Sequence, residues 1–221
     1  MMKLFHAIAD LLFPAKCILC GKLLEKEETD LCHTCRKEND SFPKPKTRLP
    51  FLENWTALWY YSENVRRSIL RFKFRNCRSY ADVYGRLLAM ELQQEFPEGF
   101  ELLTWIPISS LRRLKRGYDQ VELIARAVSR ELGIEAVPLL KKIRNNPPQS
   151  GISGEAKRRA NVLGVYQIQN QEQIVGKRIL LLDDIVTTGA TAGEASRVLL
   201  TAGAREVIFA AVAAASHQRK T

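Results

Sequence analysis

Residues 179–191 read Ile-Leu-Leu-Leu-Asp-Asp-Ile-Val-Thr-Thr-Gly-Ala-Thr. The four leading apolar residues predict a buried strand, because a strand covered on both faces of a parallel sheet shows no polar alternation. Two carboxylates follow at the carboxyl end of this strand, where open α/β sheets bind their ligands. A small, hydroxyl-rich turn then leads into a predicted helix over 191–202, which stops at Gly203. The stretch therefore predicts a strand, a ligand-binding loop and a helix in direct succession.

The predicted loop combines two kinds of binding group. Backbone N–H groups at the helix start, together with threonine hydroxyls, form a cradle for an anion. Gly189 lets the backbone approach a phosphate, and a side chain there is expected to intrude on it. The carboxylates accept hydrogen bonds from neighbouring sugar hydroxyls, so the site fits a ribose 5-phosphate. The alternative is a buried strand, a polar loop and a capped helix without a ligand. The predicted binding residues are Asp183, Asp184, Thr187, Thr188, Gly189, Ala190 and Thr191.

The rest of the chain alternates strand-like and helix-like segments. Apolar runs predict strands at 55–61, 102–108, 137–140, 178–182 and 207–214. Helical periods and helix stop signals predict helices at 65–74, 80–96, 120–132 and 155–160. This alternation predicts an α/β fold with a parallel sheet covered by helices. The prolines and charges of residues 37–50 indicate a linker, which divides the chain into an N-terminal cysteine-bearing domain with its linker over 1–50 and a larger domain over 51–221.

Four of the five cysteines form two close pairs, Cys17-x2-Cys20 and Cys32-x2-Cys35. Each pair supplies half of a tetrahedral thiolate site. In a chain without an export signal such pairs indicate a metal rather than disulfides, and thiolates favour structural Zn²⁺. A redox pair and an iron–sulfur cluster are the alternatives. The fifth cysteine, Cys77, is predicted to be a free thiol.

Several motifs in a fixed order carry a family resemblance. Residues 179–191 resemble, at all thirteen positions, the phosphoribosyl-pyrophosphate (PRPP) signature of type I phosphoribosyltransferases. Upstream lie the cysteine pairs, a basic helix, Arg116-Gly117-Tyr118-Asp119-Gln120, Gln149, and Arg158-Arg159-Ala160-Asn161-Val162. In this order the motifs resemble the ComF family over nearly the whole chain from Cys17.

Three positions depart from the family pattern. The strand end Ile106-Pro107-Ile108 has one proline fewer than the usual Pro-Val-Pro. Asp119 replaces an asparagine and adds a negative charge. Pro147 or Pro148 stands where the family has a threonine, which changes the hydrogen bonding of that loop.

The resemblance implies a type I phosphoribosyltransferase-like domain preceded by a zinc finger. It also implies a role in natural transformation, the uptake and handling of single-stranded DNA, with other competence proteins as partners. By the same resemblance, Asp183 and Asp184 take the 2′- and 3′-hydroxyls of the ribose, and residues 187–191 take the 5′-phosphate.

The charge distribution is compatible with a phosphate-rich partner. The net charge is +10, and the excess is concentrated at 36–86 and 101–161. Residues 66–78 carry six basic and no acidic residues, interleaved with Phe72 and Phe74, which suits single-stranded DNA. Alternatively, the phenylalanines belong to the core and the arginines to a solvated helix face. The predicted DNA contacts are Arg66, Arg67, Arg71, Lys73, Arg75, Arg112, Arg113 and Arg116.

Two functions stay open at this point. The first is a DNA-handling protein that keeps the pocket as a nucleotide-binding or regulatory site. The second is an active phosphoribosyltransferase, which needs Mg²⁺ on PRPP, positive groups for the leaving pyrophosphate and a closing lid. By position, the turn over 108–113 corresponds to the pyrophosphate loop and residues 141–159 to the lid. Residues 217–221, after the last strand, offer no recognisable base pocket.

The cellular location is predicted from hydropathy. No apolar run reaches the ~20 residues that a membrane span needs. Residues 1–14 lack a cleavage site for a signal peptide and predict a short amphipathic helix. We therefore expect a cytoplasmic protein.

Overall fold

The computed structural model describes residues 14–39, 49–146 and 154–215. The predictions for the N-terminal helix, for most of the linker and for residues 217–221 lie outside these ranges. Among the described residues, no helix has the length and apolar character needed to cross a membrane.

A four-stranded parallel sheet forms the centre of the fold. The strands in chain order are β1 Trp55–Tyr60, β2 Leu102–Trp105, β3 Leu140–Lys142, β4 Tyr166–Ile168, β5 Arg178–Val186 and β6 Glu206–Ala214. The sheet has the order β1–β6–β5–β2, while β3 and β4 form a separate antiparallel pair. The central strand β5 thus lies between two parallel neighbours and places its carboxyl end in the middle of one sheet edge.

Seven α-helices surround the sheet within the described residues. They are α1 His33–Glu38, α2 Glu63–Phe74, α3 Tyr80–Glu95, α4 Ser110–Arg116, α5 Gln120–Leu132, α6 Glu155–Val162 and α7 Ala190–Thr201. Helices α3 and α5 cross closely, since a Cβ on Gly85 would lie 2.3 Å from the Cβ of Ala127. The helix predicted at 120–132 is confirmed, and Gly133 ends it in the left-handed conformation that favours glycine.

Alternating residues of β5 serve two hydrophobic cores, one on each face of the sheet. Leu180 and Leu182 join the core formed with α2, α3 and α5. Ile179 and Leu181 join the core formed with α7 and the β3–β4 pair. Ile18 and Leu19, between the first two cysteines, belong to the first core, so the cysteine segment packs directly on the larger unit. The division at residue 50 stays a prediction.

Several predicted elements need correction. The turn expected over 108–113 is mostly helix α4, which sequence periodicity did not reveal because none of its residues is buried. Strand β5 continues past Leu182 to Val186, so the two aspartates lie inside it. The short strand expected at 137–140 forms at Leu140–Lys142, and its partner β4 was not predicted.

Candidate ligand-binding site and metal centre

A cavity of about 480 Å³ opens at the carboxyl end of β5. Its walls come from the end of β5, the following loop, helices α2 and α4, and the β3–β4 pair. This volume lies within the range of small-molecule sites in proteins. All seven residues predicted to bind the phosphoribosyl group, Asp183, Asp184 and those of 187–191, line this one cavity.

The two aspartates occupy opposite faces of the sheet, because successive strand residues alternate in direction. Asp184 is buried on the side of α2 and α5, where its Oδ2 lies 2.8 Å from Lys73 Nζ and accepts a hydrogen bond from Gln120 Nε2 at 3.0 Å. Asp183 Oδ1 accepts a hydrogen bond from the backbone N–H of Asp184 at 2.7 Å. Burial, and next the neighbouring Asp184 charge, raise the pKa of Asp183 well above its ordinary value.

Gln120 is a cavity residue that the sequence did not mark as a ligand contact. Its side chain is only 2% exposed and its amide nitrogen is committed to Asp184. Its Oε1 has no hydrogen-bond partner among the described residues. A buried acceptor of this kind favours a ligand that brings a hydroxyl or N–H donor.

Lys142 and Arg112 add positive charge on the other side of the cavity. Burial, and next the charge of Arg112, lower the pKa of Lys142 to about 8, while Asp183 acts in the opposite direction. Its ammonium nitrogen lies 5.8 Å from the centre of the Tyr166 ring. Arg112 donates from Nη2 to the backbone carbonyl of Asn146 at 3.0 Å. These groups line the same cavity as the aspartates and can meet the negative charge of a phosphorylated ligand.

The loop after β5 ends in Gly189, which is the N-cap of α7. Its φ of +72° lies in the left-handed region. The first N–H groups of α7 have no carbonyl partner within the helix, so they are available to an anion. A Cβ on Gly189 would meet the side chain of Leu49, with a closest approach of 2.6 Å. A side chain at this position would therefore first meet Leu49, and its effect on a bound phosphate stays a prediction.

Asp119 fixes the loop that enters α4. Its carboxylate accepts hydrogen bonds from the backbone N–H groups of Ile108 at 3.1 Å, Val121 at 2.9 Å and Glu122 at 3.2 Å. Burial raises its pKa, and these N–H groups act against that rise. The bonds to Ile108 and Val121 use different oxygens, which an asparagine amide could not supply. The departure from the family pattern at this position thus fits its surroundings.

The four paired cysteines converge into one cluster. The sulfur atoms of Cys17, Cys20, Cys32 and Cys35 all lie within 4.8 Å of one another, and the Cys20 and Cys32 sulfurs are 3.7 Å apart. Tetrahedral coordination with Zn–S bonds of about 2.3 Å requires similar separations. The thiol of Cys77 lies outside the cluster and donates to the Arg75 carbonyl at 3.7 Å.

The thiol environment suits deprotonation on metal binding. Burial opposes ionisation of Cys17, but backbone N–H groups of Cys20, Cys32 and Leu19 together outweigh it and lower the pKa of this thiol to about 7. Burial, and next the neighbouring thiols, raise the pKa of Cys35. Four crowded thiols ionise together only when a cation shares their charge.

Two of the predicted DNA contacts are turned inward. Arg71 Nη2 donates to the carbonyls of Ile18 and Leu19 at 2.9 and 2.6 Å. The Lys73 side chain is 16% exposed and pairs with Asp184. Phe72 is fully buried, whereas Phe74 is 63% exposed, so only one of the two phenylalanines belongs to the core.

Arg112 lies in the cavity wall, and the other predicted DNA contacts lie at or near the surface. Arg66 and Arg67 pair with Glu63 on the outer face of α2. We define a basic rim by Phe74 and Arg116, which line the cavity, and by the exposed residues near them in the chain, Arg75, Arg78, Arg113 and Lys115. Arg113 also pairs with Glu122 at 3.3 Å. The Arg116 guanidinium lies 5.1 Å from the centre of the Phe74 ring, and that of Arg78 lies 4.8 Å from the centre of the Tyr118 ring. The rim therefore joins an exposed aromatic ring to several cations.

Comparison with known families agrees with this geometry. Residues 122–221 match the phosphoribosyl transferase domain, and residues 8–46 match the double zinc ribbon domain. The parallel α/β fold is thus that of a phosphoribosyl transferase domain behind an N-terminal zinc ribbon. The ribbon match and the four-cysteine cluster together support a structural Zn²⁺ site.

Curated proteins share similarity with most of the chain. Competence protein F of Haemophilus influenzae is 26% identical and covers 88% of this chain and 95% of its own length. The chain is a relative of the ComF competence proteins. Competence protein ComFC of Streptococcus pneumoniae is 28% identical over 87% of this chain and 96% of its own. The DNA utilization protein YhgH of Escherichia coli K12 is 25% identical over 88% of this chain and 94% of its own length.

Proposed function

We propose that this ComF relative handles single-stranded DNA in a competence-related role and binds PRPP or a related ribose 5-phosphate in its central cavity. The observation that carries the ligand assignment is the meeting of Asp183, Asp184 and the 187–191 loop in one cavity. Carboxylates accept from sugar hydroxyls, and the start of α7 offers N–H donors to a phosphate. The unpartnered Oε1 of Gln120 adds an acceptor beside the carboxylates.

The DNA part of the proposal rests on the basic rim and on the names of the relatives. Exposed arginines and lysines attract a phosphate backbone, and an exposed ring such as Phe74 can stack on a base. Competence protein F, ComFC and DNA utilization protein YhgH are named for work with DNA or for competence. The rim includes Phe74 and Arg116, which also line the cavity, so a strand on the rim would pass its mouth. A cytoplasmic location fits this role.

An active phosphoribosyltransferase is the second candidate, and Lys142 and Arg112 favour it. In that reaction the bond from ribose C1 to pyrophosphate breaks, a bond from C1 to a base nitrogen forms, and the base loses a proton. Cations near the departing pyrophosphate stabilise its charge, and Mg²⁺ would enter on the diphosphate of PRPP. Incubation with PRPP, Mg²⁺ and each base tests this candidate by release of pyrophosphate.

Calorimetric titration with PRPP–Mg²⁺ and with a single-stranded oligonucleotide, separately and together, tests the main proposal. We expect both to bind, with the DNA affinity falling steeply with salt. If PRPP fails to bind, the ligand assignment is overturned. If the oligonucleotide fails to bind at low salt, the DNA role is overturned instead.

A further inference from the structure

Helix α2 lies between the cysteine cluster and the cavity. Ser68 and Arg71 face the cysteine segment, and Lys73 reaches the end of β5. The two sites are therefore joined by a single helix whose last turn contacts both.

On the cysteine side, the contacts go to the backbone between the first two cysteines. Ser68 Oγ donates to the Ile18 carbonyl at 2.6 Å. Arg71 Nη2 donates to the same carbonyl and to that of Leu19. A metal that holds Cys17 and Cys20 fixes these two carbonyls, because Ile18 and Leu19 are the only residues between them.

On the cavity side, Lys73 contacts the aspartate pair through Asp184. Its ion pair with Asp184 is mostly shielded from water, with side-chain exposures of 16% and 9%. The last turn of α2 is held further by the hydroxyl of Tyr118, which donates to the Phe72 carbonyl. Phe72 packs against the rings of Tyr84 and Tyr118. A shift of this turn would separate Lys73 from Asp184.

The charge of Lys73 favours the binding of a ribose. It offsets the repulsion between two adjacent carboxylates, and ionised carboxylates are the stronger acceptors for sugar hydroxyls. Lys73 could also compete with a sugar hydroxyl for the carboxylate of Asp184. This competition is small, because Lys73 and Gln120 both contact Oδ2 and leave Oδ1 to the ligand.

We infer that the zinc-binding knuckle, defined as residues 17–20, positions the sugar side of the ligand cavity. Ser68 and Arg71 anchor α2 to this knuckle, so that Lys73 contacts Asp184. Loss of the anchor weakens ligands that carry a ribose. Inorganic phosphate needs only the 187–191 loop, so its binding changes little. This inference rests on the proposed function for its ligand class.

The test uses the full chain with ribose 5-phosphate and with inorganic phosphate as separate ligands. We expect Arg71→Ala and Lys73→Met to weaken ribose 5-phosphate roughly tenfold, the effect of one pKa unit of lost charge interaction. Phosphate affinity stays near that of the parent, so the ratio of ribose 5-phosphate affinity to phosphate affinity falls. Lys73→Arg restores the ratio. Arg67→Ala is the control, since Arg67 lies on the outer face of α2 and is 62% exposed.

Removal of zinc with a chelator gives the same change in ratio, provided that circular dichroism shows a folded chain. If chelation unfolds the protein, Arg71→Ala and Lys73→Met decide the matter. A parent-like ratio in Arg71→Ala overturns the inference and leaves the ligand site intact. A parent that binds neither ligand overturns the proposed site, and the inference falls with it.

Discussion

The side chain of Leu49 fills the space beside Gly189 in which any other residue would carry its Cβ. The Leu49 Cδ2 atom lies 2.6 Å from that position, and Leu49 itself is buried in the second core. The glycine is thus required both for its positive φ and for the room that Leu49 needs. Through this contact the segment before β1 supports the back of the loop that we propose holds a phosphate.

Gly189→Ala is therefore expected to destabilise the fold by two separable effects. The left-handed backbone costs roughly 1–2 kcal/mol for a residue with a Cβ, and crowding against Leu49 adds about 1–3 kcal/mol. Gly164→Ala is the matched control, because its φ is +65° and nothing lies within 4 Å of its Cβ position. Urea unfolding measures both. Equal losses in the two variants would show that Leu49 yields without cost.

The cysteine cluster predicts one Zn²⁺ per chain. Cys32→Ser should release the metal, because a hydroxyl is a poor replacement for a thiolate ligand. Because Ile18 and Leu19 belong to the first core, we also expect the melting temperature of the whole chain to fall. Metal analysis and calorimetry check both results, with Cys77→Ser as a control that keeps the metal. Iron–sulfur absorbance in the purified protein would refute the zinc assignment.

The basic rim predicts where single-stranded DNA binds. Replacing Arg75, Arg113 and Lys115 together by Ala should reduce the slope of log affinity against log salt by about 2, given ~0.7 per lost phosphate contact. Phe74→Ala should weaken binding by roughly 1–3 kcal/mol through lost stacking. Fluorescence anisotropy at several salt concentrations measures both effects.

A control for the rim must remove the same charge elsewhere. The triple change of Arg130, Lys177 and Arg205 to Ala does so, since all three pair with carboxylates that do not line the cavity. It should leave the salt slope close to that of the parent. If both triple variants reduce the slope equally, then overall charge, and not the rim, governs DNA binding.

Lys142 predicts a pH dependence of ribose 5-phosphate binding. Its pKa of about 8 means that the ammonium charge is present at pH 7 and is lost as the pH rises towards 9. Affinity should fall by up to about tenfold over this range, the effect of one charged hydrogen bond. Lys142→Arg keeps its charge over this range and should flatten the curve. Parallel curves for parent and variant would exclude Lys142 from the site.

The sequence predicted the strand, loop and helix at residues 179–191 because their signals are local. An apolar run, two acids and a glycine define the succession without help from distant residues. The four-cysteine site could also be predicted from local sequence, since the spacing of the cysteines reflects the geometry of the metal site. Helix α4 escaped prediction because Leu111 and Leu114 are exposed and leave no buried period to detect.

The remaining parts of the site depend on contacts between distant segments. Lys73 and Asp184 are brought together by the packing of α2 against the sheet, and no local pattern reports this. The basic stretch at 66–78 was interpreted as one surface, yet helix geometry sends Arg71 to the knuckle and Lys73 to the cavity. Gln120 did lie in a recognised motif, and its place there could have marked it as a cavity residue.

The most direct measurement is calorimetric titration of PRPP–Mg²⁺ into the parent, Asp183→Asn and Asp82→Asn at pH 8. Asp82 is the control because it is 57% exposed and pairs with Arg130 away from the cavity. Asp183→Asn replaces an acceptor oxygen with a donor, so binding should weaken by roughly 1.5–3 kcal/mol, about ten- to hundredfold. Asp82→Asn should bind like the parent. Equal affinity in all three proteins would contradict the claim that the end of β5 is a working phosphoribosyl site.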